Sequence, residues 1–412
     1  MASAARGFKV YGYHEDSSII VNLKSGQPHV LEPGLPELFT QYHHMVNFSD
    51  DIASLSSCDI VYISVDVPTD DNGKSDLSAI VEIIDCVVQV MQKVALLVIL
   101  CQVPPGFTRK INWPSSQLYY QVETLVFGRA VQRAMFPERF IVGCANPSDT
   151  LDLRLKEYLA AFECPILPMR YESAELAKIS INMFLVATVT TANTLAEICE
   201  QIGADWSEIV PALRLDKRIG QHAYLSPGLG IAGGNLERDL STVLSYAATH
   251  GTDGGAVAAW VANSTHRKDW AWQKLKELVL NIQPNPTISI LGLTYKENTH
   301  SVKNSASISL LKKIRNKNVK AFDPAADANV TQSDVLRVQS IDEALKGADV
   351  LIIMTPWPEF GSIKAQDLKH KMSGRIVIDP YRMLGAEDLP KLGFTYAALG
   401  EPIRWPLQSS MT

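Results

Sequence analysis

Residues 173–201, SAELAKISINMFLVATVTTANTLAEICEQ, decide how the chain is organised. They contain neither glycine nor proline and are rich in Ala, Leu and Glu, which favours one long α-helix. Ser173 is a suitable N-cap residue, and Gly203 follows the stretch as a stop signal. We expect an all-helical section to run from here to about Leu280. Residues 281–286, which include two prolines and two asparagines, form the boundary after it.

On both sides of the helical section, short apolar runs alternate with amphipathic stretches. We predict strands at residues 9–13, 59–65, 96–103, 139–144, 287–291, 319–322, 350–354 and 376–379. We predict helices at residues 16–24, 77–93, 149–162, 307–316, 341–346 and 363–371. Strand–helix alternation indicates parallel sheets with crossover helices. The predicted fold is α/β: two Rossmann-like domains, residues 1–170 and 284–412, joined by the long central helix and a helical middle domain, residues 171–283.

The N-terminal sheet is expected to lack its first strand. The run at 9–13 resembles a second Rossmann strand, because only eight residues precede it and residues 3–7 look like the tail of a helix. In the strand order 3-2-1-4-5-6 the first strand is central, and the turn after it holds the pyrophosphate of a dinucleotide. His14 occupies the place of the acid that binds the ribose, with Glu15 and Asp16 beside it. We therefore expect weak dinucleotide binding.

Composition and charge exclude several classes of protein. A chain of 412 residues with 46% hydrophobic and 20% charged residues is typical of a globular protein with two or three domains. The net charge of −6 argues against nucleic acid or an anionic membrane as a partner. The apolar stretches at 87–101 and 183–196 are interrupted by polar residues, so no membrane span is predicted. The N-terminus has no apolar core typical of a secretory signal, and the six cysteines contain no C-x-x-C pair. We expect a cytoplasmic protein with reduced thiols and no metal.

One glycine motif, GLGIAG at residues 228–233, matches the dinucleotide fingerprint, but its context differs from that of a dinucleotide site. It follows Ser226-Pro227 within the helical section, whereas the fingerprint closes a strand and opens a helix. Two other interpretations remain: a loop whose amides approach a ligand, and a flexible connector.

Lys178 and Asn182 are four residues apart and lie on one face of the long helix. Together they could stabilise negative charge that develops on an oxygen atom. The alternative is an ordinary solvated helix face. Asp239, which follows Glu237 and Arg238, is also typical of a helix N-terminus.

An ordered series of motifs resembles the UDP-glucose/GDP-mannose dehydrogenase family and covers essentially the whole chain. The motifs are EPGLPEL (32–38), AELAKISIN (174–182), GAD (203–205), DKRIG (216–220), PGLG (227–230), GLTYKENT (292–299), ADV (348–350) and WPEF (357–360). The stretch ETLVFGRA (123–130) is similar to the family's P-E-N-L-R-L-G-x-A segment.

The resemblance implies oxidation of the C6 alcohol of a nucleotide sugar to a carboxylate with two NAD⁺, in polysaccharide biosynthesis. Family members pass through a cysteine thiohemiacetal and thioester, which water cleaves. By this resemblance Lys178 and Asn182 would stabilise the oxyanion, Asp239 would assist the water and Glu123 would support hydrolysis. The implied contacts to the nucleotide sugar are Arg218, which could reach a neighbouring subunit, Gly228, Gly230, Lys296 and Arg382. The implied contacts to NAD are His14, Pro68, Thr69 and Lys303. The middle helices would form a homodimer core.

The departures from the family pattern bear on activity. Where the family has G-G-S-C-F-P-K-D, residues 233–239 read GGNLERD, with Asn235 at the position of the nucleophile. An amide cannot attack an aldehyde as a thiolate does. Gln102 stands where the family usually has threonine, and Lys303 replaces an arginine expected near the cofactor.

Three hypotheses follow from these residues. The first is a family member that binds a UDP-sugar but is impaired in the four-electron oxidation. The second is an active NAD-dependent oxidoreductase that stops after one two-electron step or catalyses an altered reaction. The third is a non-catalytic dimeric partner of an active paralogue. The motifs do not determine which nucleotide sugar is bound.

Overall fold

The structure is a computed structural model that describes residues 1–28, 30, 32–68, 70, 75–126, 128–331 and 334–407. Thr69, a predicted NAD contact, lies outside the described residues. The chain forms two compact units, Met1–Ile181 and Asn182–Thr412. The division into three domains predicted from the sequence stays a prediction.

The N-terminal unit consists of short strands and helices that alternate along the chain. Its strands are β1 (Val10–Tyr13), β2 (Val46–Ser49), β3 (Ile60–Ile63), β4 (Leu96–Ile99), β5 (Leu118–Gln121), β6 (Phe140–Cys144) and β7 (Ile166–Arg170). Its helices are α1 (Ala2–Ala5), α2 (Ser17–Lys24), α3 (Leu35–Tyr42), α4 (Ser78–Val90), α5 (Ala130–Met135) and α6 (Leu153–Ala160). Helix α7 (Tyr171–Ile202) begins in this unit and continues into the second.

The N-terminal strands form two separate sheets. β1 and β2 pair in parallel, with Val10 opposite Val46. The other five strands form a sheet in the order β3-β4-β5-β6-β7, parallel except for the β5–β6 pair. Among the described residues no backbone hydrogen bond joins the two sheets. A side chain connects them instead: Tyr13 packs against the core that contains Ile63.

The second unit begins with helices and ends with a complete parallel sheet. Its helices are α8 (Trp206–Leu215), α9 (Asn235–His250), α10 (Gly255–Lys268), α11 (Trp270–Leu275) with a π-helical continuation (Lys276–Leu280), α12 (Ala306–Lys313), α13 (Ile341–Leu345) and α14 (Ala365–Lys371). Its strands are β8 (Thr287–Leu291), β9 (Asn318–Phe322), β10 (Val335–Arg337), β11 (Val350–Ile353), β12 (Ile376–Ile378) and β13 (Thr395–Ala397).

The C-terminal sheet has the order β10-β9-β8-β11-β12-β13, which is the doubly wound order 3-2-1-4-5-6. All of its pairs are parallel, and β8 is central because it pairs with both β9 and β11. Alternate residues enter the cores on opposite faces: Ile352 packs in one cluster, and Leu351 and Ile353 pack in the other. The described part of the N-terminal unit has no counterpart of β8 between β1 and β3. The predicted α/β fold class with a long central helix is confirmed.

By length and composition alone, helix α7 is long and apolar enough to span a membrane. No membrane span was predicted from the sequence, because polar residues interrupt the apolar stretches. The same criteria are met by the core helix of a globular protein. Val186, Ala192 and Ala196 of this helix are buried against neighbouring segments of the second unit. These contacts favour the role of a core helix.

Candidate functional site

Helix α9 begins directly after two glycines whose backbone is left-handed. Gly233 and Gly234 have φ angles of +91° and +96°. A Cβ atom would lie 2.7 Å from the ring of Tyr295 at the first position and 3.0 Å from the side chain of Lys303 at the second. The Gly233 N–H also donates to the Lys303 carbonyl (3.0 Å). Asn235 is therefore the exposed first residue of the helix, where the N–H groups without intrahelical partners create a positive potential.

One turn along α9, a buried polar group faces α7. Asp239 is 1% exposed, and its Oδ2 accepts a hydrogen bond from Asn182 Nδ2 (2.5 Å). Its Oδ1 accepts a hydrogen bond from Arg238 Nε (3.3 Å), which also forms an ion pair. Asn182 and Asp239, two site residues predicted with separate roles, thus contact each other. Because α9 carries both Asp239 and Asn235 with a spacing of four residues, these two lie on one face of the helix.

Lys178 lies on α7 one turn before Asn182 and is half-buried. Because α7 is unbroken between these residues, Lys178 and Asn182 lie on one face of the helix, as their spacing predicts. Their predicted role in stabilising an oxyanion stays a prediction.

The segment after β8 is attached to the start of α9 through Glu237. This carboxylate accepts hydrogen bonds from the Gly234 N–H (3.1 Å), Asn304 Nδ2 (2.6 Å) and Lys268 Nζ (3.1 Å). Lys296 belongs to the same segment, and its ammonium lies 5.8 Å from the centre of the Tyr295 ring. Lys296 and Lys303 thus lie on the segment that Glu237 attaches to the N-terminal end of α9, the end at which Asn235 lies. Glu237, Asn304 and Lys268 were not singled out as site residues in the sequence.

The glycine-rich loop before α9 is packed against neighbouring helices. The Gly228 N–H donates to Asn193 Oδ1 (2.8 Å), and the Ile231 N–H donates to Ser264 Oγ (2.8 Å). Gly230 has a φ of +79°, and a Cβ there would lie 2.4 Å from the Ser264 carbonyl oxygen. Two of the loop's amides are therefore bonded inside the protein, and the approach of the loop to a ligand stays a prediction. Substrate contacts at Gly228 and Gly230 stay a prediction.

The two arginines predicted to bind the nucleotide sugar have different surroundings. Arg218 is on an exposed loop and pairs with Asp216 (2.6 Å). Arg382 has a φ of +56°, and its guanidinium donates to Asp205 (2.7 Å) and to Ser207 Oγ (3.0 Å) at the start of α8. Burial raises the pKa of Asp205, but the hydrogen bonds from Arg382 and Ser207 outweigh it and hold the pKa below its usual value. Arg382 therefore has structural partners at the start of α8, and its predicted contact to the nucleotide sugar stays a prediction.

In the N-terminal unit, Glu123 lies just after β5, half-buried, and accepts a hydrogen bond from the Leu125 N–H. His14 follows β1 and uses its Nδ1 to accept from the Asp16 N–H (3.0 Å). Pro68 is exposed, and its carbonyl accepts from the Asp76 N–H (2.9 Å).

The described residues of this unit do not supply a complete dinucleotide site. NAD requires a strand whose glycine-rich turn opens a helix, and this element is not among them. His14 Nδ1 accepts from the Asp16 N–H, and its predicted contact to NAD stays a prediction. Weak binding of NAD therefore stays a prediction.

A buried carboxylate missed in the sequence analysis fixes the loop after β4. Glu175 is fully buried on α7 and accepts hydrogen bonds from the backbone N–H groups of Gly106 (2.5 Å) and Thr108 (2.8 Å). It lies one turn before Lys178, so the helix that carries Lys178 also holds this loop. No local sequence pattern relates Glu175 to this loop, because Gly106 and Thr108 lie 69 and 67 residues earlier in the chain.

Asp323, directly after β9, has a similar role in the second unit. Its carboxylate accepts from backbone N–H groups at Leu293 (2.6 Å), Thr294 (3.0 Å), Ala325 (2.8 Å) and Ala326 (2.8 Å). Burial raises the pKa of Asp323, but these hydrogen bonds outweigh it and lower the pKa overall. The turn after β8 is therefore fixed by a charged group.

Within the described ranges, no group of three His, Cys, Asp or Glu side chains could hold a metal ion. The six cysteines, all of which the structure describes, are free thiols. Cys199, the one in the second unit, is buried beside Trp206.

Comparisons with known proteins agree along the chain. Three models of the UDP-glucose/GDP-mannose dehydrogenase family match: the NAD binding domain (residues 1–160), the central domain (172–264) and the UDP binding domain (289–386). UDP-glucose 6-dehydrogenase of Rickettsia conorii is 30% identical over 361 residues, which cover 85% of this chain and 83% of that protein. UDP-glucose 6-dehydrogenase TuaD of Bacillus subtilis is 27% identical over 413 residues, 96% of this chain and 89% of the relative.

Solved structures support the fold. A UDP-glucose dehydrogenase from Pyrobaculum islandicum superposes with a TM-score of 0.82 at 24% identity and covers 97% of this chain and 94% of that one. A UDP-D-ManNAc dehydrogenase from Pyrococcus horikoshii gives the same TM-score and identity over 97% of this chain and 95% of that one.

Proposed function

Because the chain belongs to the UDP-glucose/GDP-mannose dehydrogenase family, we propose that it binds a UDP-sugar and is impaired in the NAD-dependent four-electron oxidation at C6. The observation that carries this proposal is the environment of Asn235. It is the first residue of α9, beside the retained pair of Asn182 and Asp239, at the position where the family has its cysteine.

The chemistry of that position explains the impairment. A helix N-terminus lowers the pKa of a cysteine and favours the thiolate. An asparagine amide does not become a nucleophile at this position, so no covalent intermediate forms with an aldehyde. Cys199 does not replace it, because it lies 17 residues beyond Asn182 on α7, about 25 Å along the helix axis.

The cofactor side supports the same proposal. The N-terminal unit matches the family's NAD binding domain. Since the described residues lack the pyrophosphate turn, we expect NAD⁺ to bind weakly. Which nucleotide sugar is bound is left open.

A homodimer is part of this proposal. On α7 the side chains of Phe184, Leu195, Ile198 and Ile202 are exposed, and their spacing puts them on one helix face. An exposed apolar stripe of this kind is typical of a protein interface. This stripe also favours the third hypothesis, that the protein is a non-catalytic partner of an active paralogue. We infer a cytoplasmic protein from its family relatives and composition.

The test combines turnover with ligand binding. With UDP-glucose and NAD⁺ the purified protein is expected to produce no steady NADH. UDP or UDP-glucose is expected to raise the melting temperature through binding to the folded state, whereas NAD⁺ is not. Asn235→Cys, with Asn235→Ser as its matched control, tests whether a thiol restores the second oxidation when NAD⁺ is saturating.

Each outcome separates the hypotheses. Two NADH per sugar from the unchanged protein would contradict the proposal. One NADH per sugar would favour the altered oxidoreductase. If no nucleotide shifts the melting temperature, the protein acts as a partner rather than as a sugar-nucleotide binder.

A further inference from the structure

Asp205, the last residue of the motif GAD, has contacts that the proposed function does not explain. Its carboxylate caps α8, because Oδ1 accepts a hydrogen bond from the Ser207 N–H (2.8 Å). The same carboxylate accepts from two nitrogens of Arg382, with Oδ1 2.7 Å from Nη2 and Oδ2 3.3 Å from Nη1. Two-point contacts between a carboxylate and a guanidinium are among the strong hydrogen bonds in proteins. Asp205 therefore binds an arginine that the family resemblance assigns to the nucleotide sugar.

The other donors of Arg382 are also used within the second unit. Its Nε donates to the Leu399 carbonyl (3.3 Å), and its Nη1 donates to Ser207 Oγ (3.0 Å) as well as to Asp205. A guanidinium carries five N–H groups on three nitrogens, and each of these nitrogens has a partner here. A phosphate that binds Arg382 through two parallel hydrogen bonds must therefore displace at least one of these partners.

The backbone that carries Arg382 is fixed by a buried carboxylate. Arg382 has a φ of +56°, and its N–H donates to the Asp379 carbonyl (3.1 Å). Asp379 is fully buried, and its Oδ2 accepts from the Leu384 N–H (2.7 Å) and from the Tyr396 hydroxyl (2.9 Å). A change of partner at Arg382 is therefore a movement of its side chain, while the turn that carries it stays in place.

Asp205 is the nearer of two carboxylates beside Arg382. Glu401 lies 4.0 Å from Arg382 Nη2 and closer to Arg404, at 3.2 Å. The side chains of Arg382 and Asp205 are 26% and 28% exposed, so the pair is partly shielded from water and still open to solvent. Partial burial strengthens the interaction of the two charges relative to a fully exposed pair. The negative charge of Asp205 thus offsets much of the positive potential that Arg382 offers to an anion.

We propose that Asp205 competes with the phosphate groups of a nucleotide for Arg382 and thereby lowers the affinity of the protein for the UDP part of its ligand. The inference rests on the proposed function, because it needs UDP as the ligand and Arg382 as one of its contacts. Binding of the diphosphate replaces one anion by another at the guanidinium, so only the difference between two ion pairs contributes to the affinity. Removal of the charge at residue 205 should therefore strengthen UDP binding, whereas loss of a ligand contact or of a structural support would weaken it.

The test replaces Asp205 with Asn, which removes the charge and keeps a residue that is equally good as an N-cap. Asp152→Asn is the matched control, because Asp152 caps α6 in the other unit and pairs with Arg154 (2.9 Å). Arg382→Gln is made alone and together with Asp205→Asn. The dissociation constant of UDP is measured by isothermal titration calorimetry for each protein, and thermal unfolding shows that each variant is folded.

Asp205→Asn is expected to bind UDP about fivefold more tightly than the unchanged protein, the scale of a partly exposed ion pair. Asp152→Asn is expected to leave the dissociation constant within about twofold. Arg382→Gln is expected to weaken UDP binding. Asp205→Asn added to Arg382→Gln is expected to give no further change beyond about twofold, because the effect of Asp205 passes through Arg382.

Two results with folded variants would overturn the inference. Unchanged or weaker UDP binding by Asp205→Asn would show that the carboxylate does not compete with the ligand. A gain of the same size in the presence of Arg382→Gln would show that the effect does not pass through the arginine.

Asp205→Ser, which provides a second uncharged N-cap residue, serves if the asparagine variant does not fold. A failure of both to fold would show a purely structural role and would also overturn the inference. If neither the unchanged protein nor Asp205→Asn binds UDP, the proposed function itself fails. UDP binding by the unchanged protein without a gain in the variant contradicts the competition alone.

Discussion

At the scale of single residues, buried carboxylates that bind backbone N–H groups determine the local geometry of this protein. Glu175 is the clearest case, because it is fully buried and each of its oxygens accepts one N–H from the loop at 106–108. A neutral side chain without acceptors would leave both donors without their partner. The free energy cost of a buried unsatisfied donor is about 1–3 kcal/mol.

We therefore expect Glu175→Ala to lower the free energy of unfolding by about 2–4 kcal/mol, measured by urea denaturation. Ser173→Ala, an exposed position on the same helix, is the matched control and should change it by less than about 0.5 kcal/mol. Equal effects of the two substitutions would contradict the role of Glu175.

Some of these residues could be found in the sequence and others could not. Lys178 and Asn182 were accessible because helical spacing relates neighbours on one face. Glu32 was quoted as part of a motif, yet its partners lie 96 and 98 residues away, beyond any local pattern. Arg382 was singled out through the family resemblance, which predicts a ligand contact. Its ion pair with Asp205 was not predicted, because the two residues are 177 positions apart in the sequence.

At the scale of elements, the N-terminal turns of α7 hold the segment that follows β4. Besides Glu175, the carboxylate of Glu172 accepts two hydrogen bonds from the Arg109 guanidinium, and that guanidinium lies 5.2 Å from the centre of the Tyr171 ring. The hydrogen bonds from Arg109 lower the pKa of Glu172 from 4.5 to about 2. The folded protein therefore binds this proton more weakly than the unfolded chain does.

This shift gives a pH dependence of defined sign. The contribution of Glu172 to stability is present above its unfolded pKa of 4.5 and is lost as the pH falls towards about 2. Glu172→Gln should thus lose less stability than the unchanged protein when urea midpoints are compared at about pH 5 and about pH 3. The effect is small, because the pair is partly exposed. Glu37→Gln is the control, and identical acid sensitivity of all three proteins would contradict the prediction.

The element boundaries show where sequence patterns succeed. The long helix was predicted at 173–201 and extends over Tyr171–Ile202, since an uninterrupted run without glycine or proline has clear limits. β7 was not predicted, because Pro168 within it does not fit a typical strand and the strand lies at the sheet edge. β2 and β5 were not predicted either.

At the scale of the whole molecule, the exposed stripe of α7 determines the expected assembly. Phe184 and Ile202 are 76% and 70% exposed, although both are large and apolar. A monomer would leave this surface in water, whereas a second copy would bury it.

If the protein forms the proposed homodimer, Phe184→Glu should convert it to a monomer of about the chain mass, 45.4 kDa, in sedimentation velocity. A charge in the middle of an apolar interface costs its desolvation without a partner. Leu336→Glu, an exposed apolar position on β10, should leave the mass unchanged. A monomeric unchanged protein would refute the proposed assembly.

The pair of strands β1 and β2 has a consequence for how the molecule opens. Since no strand ladder among the described residues joins this small sheet to its larger neighbour, its rupture breaks no ladder of main-chain bonds in the rest of the unit. Such a segment is a cooperative block that can detach at a fraction of the global free energy. The first fifty residues would then be the earliest site of proteolytic nicking, while the continuous six-stranded sheet at the other end of the chain is still folded.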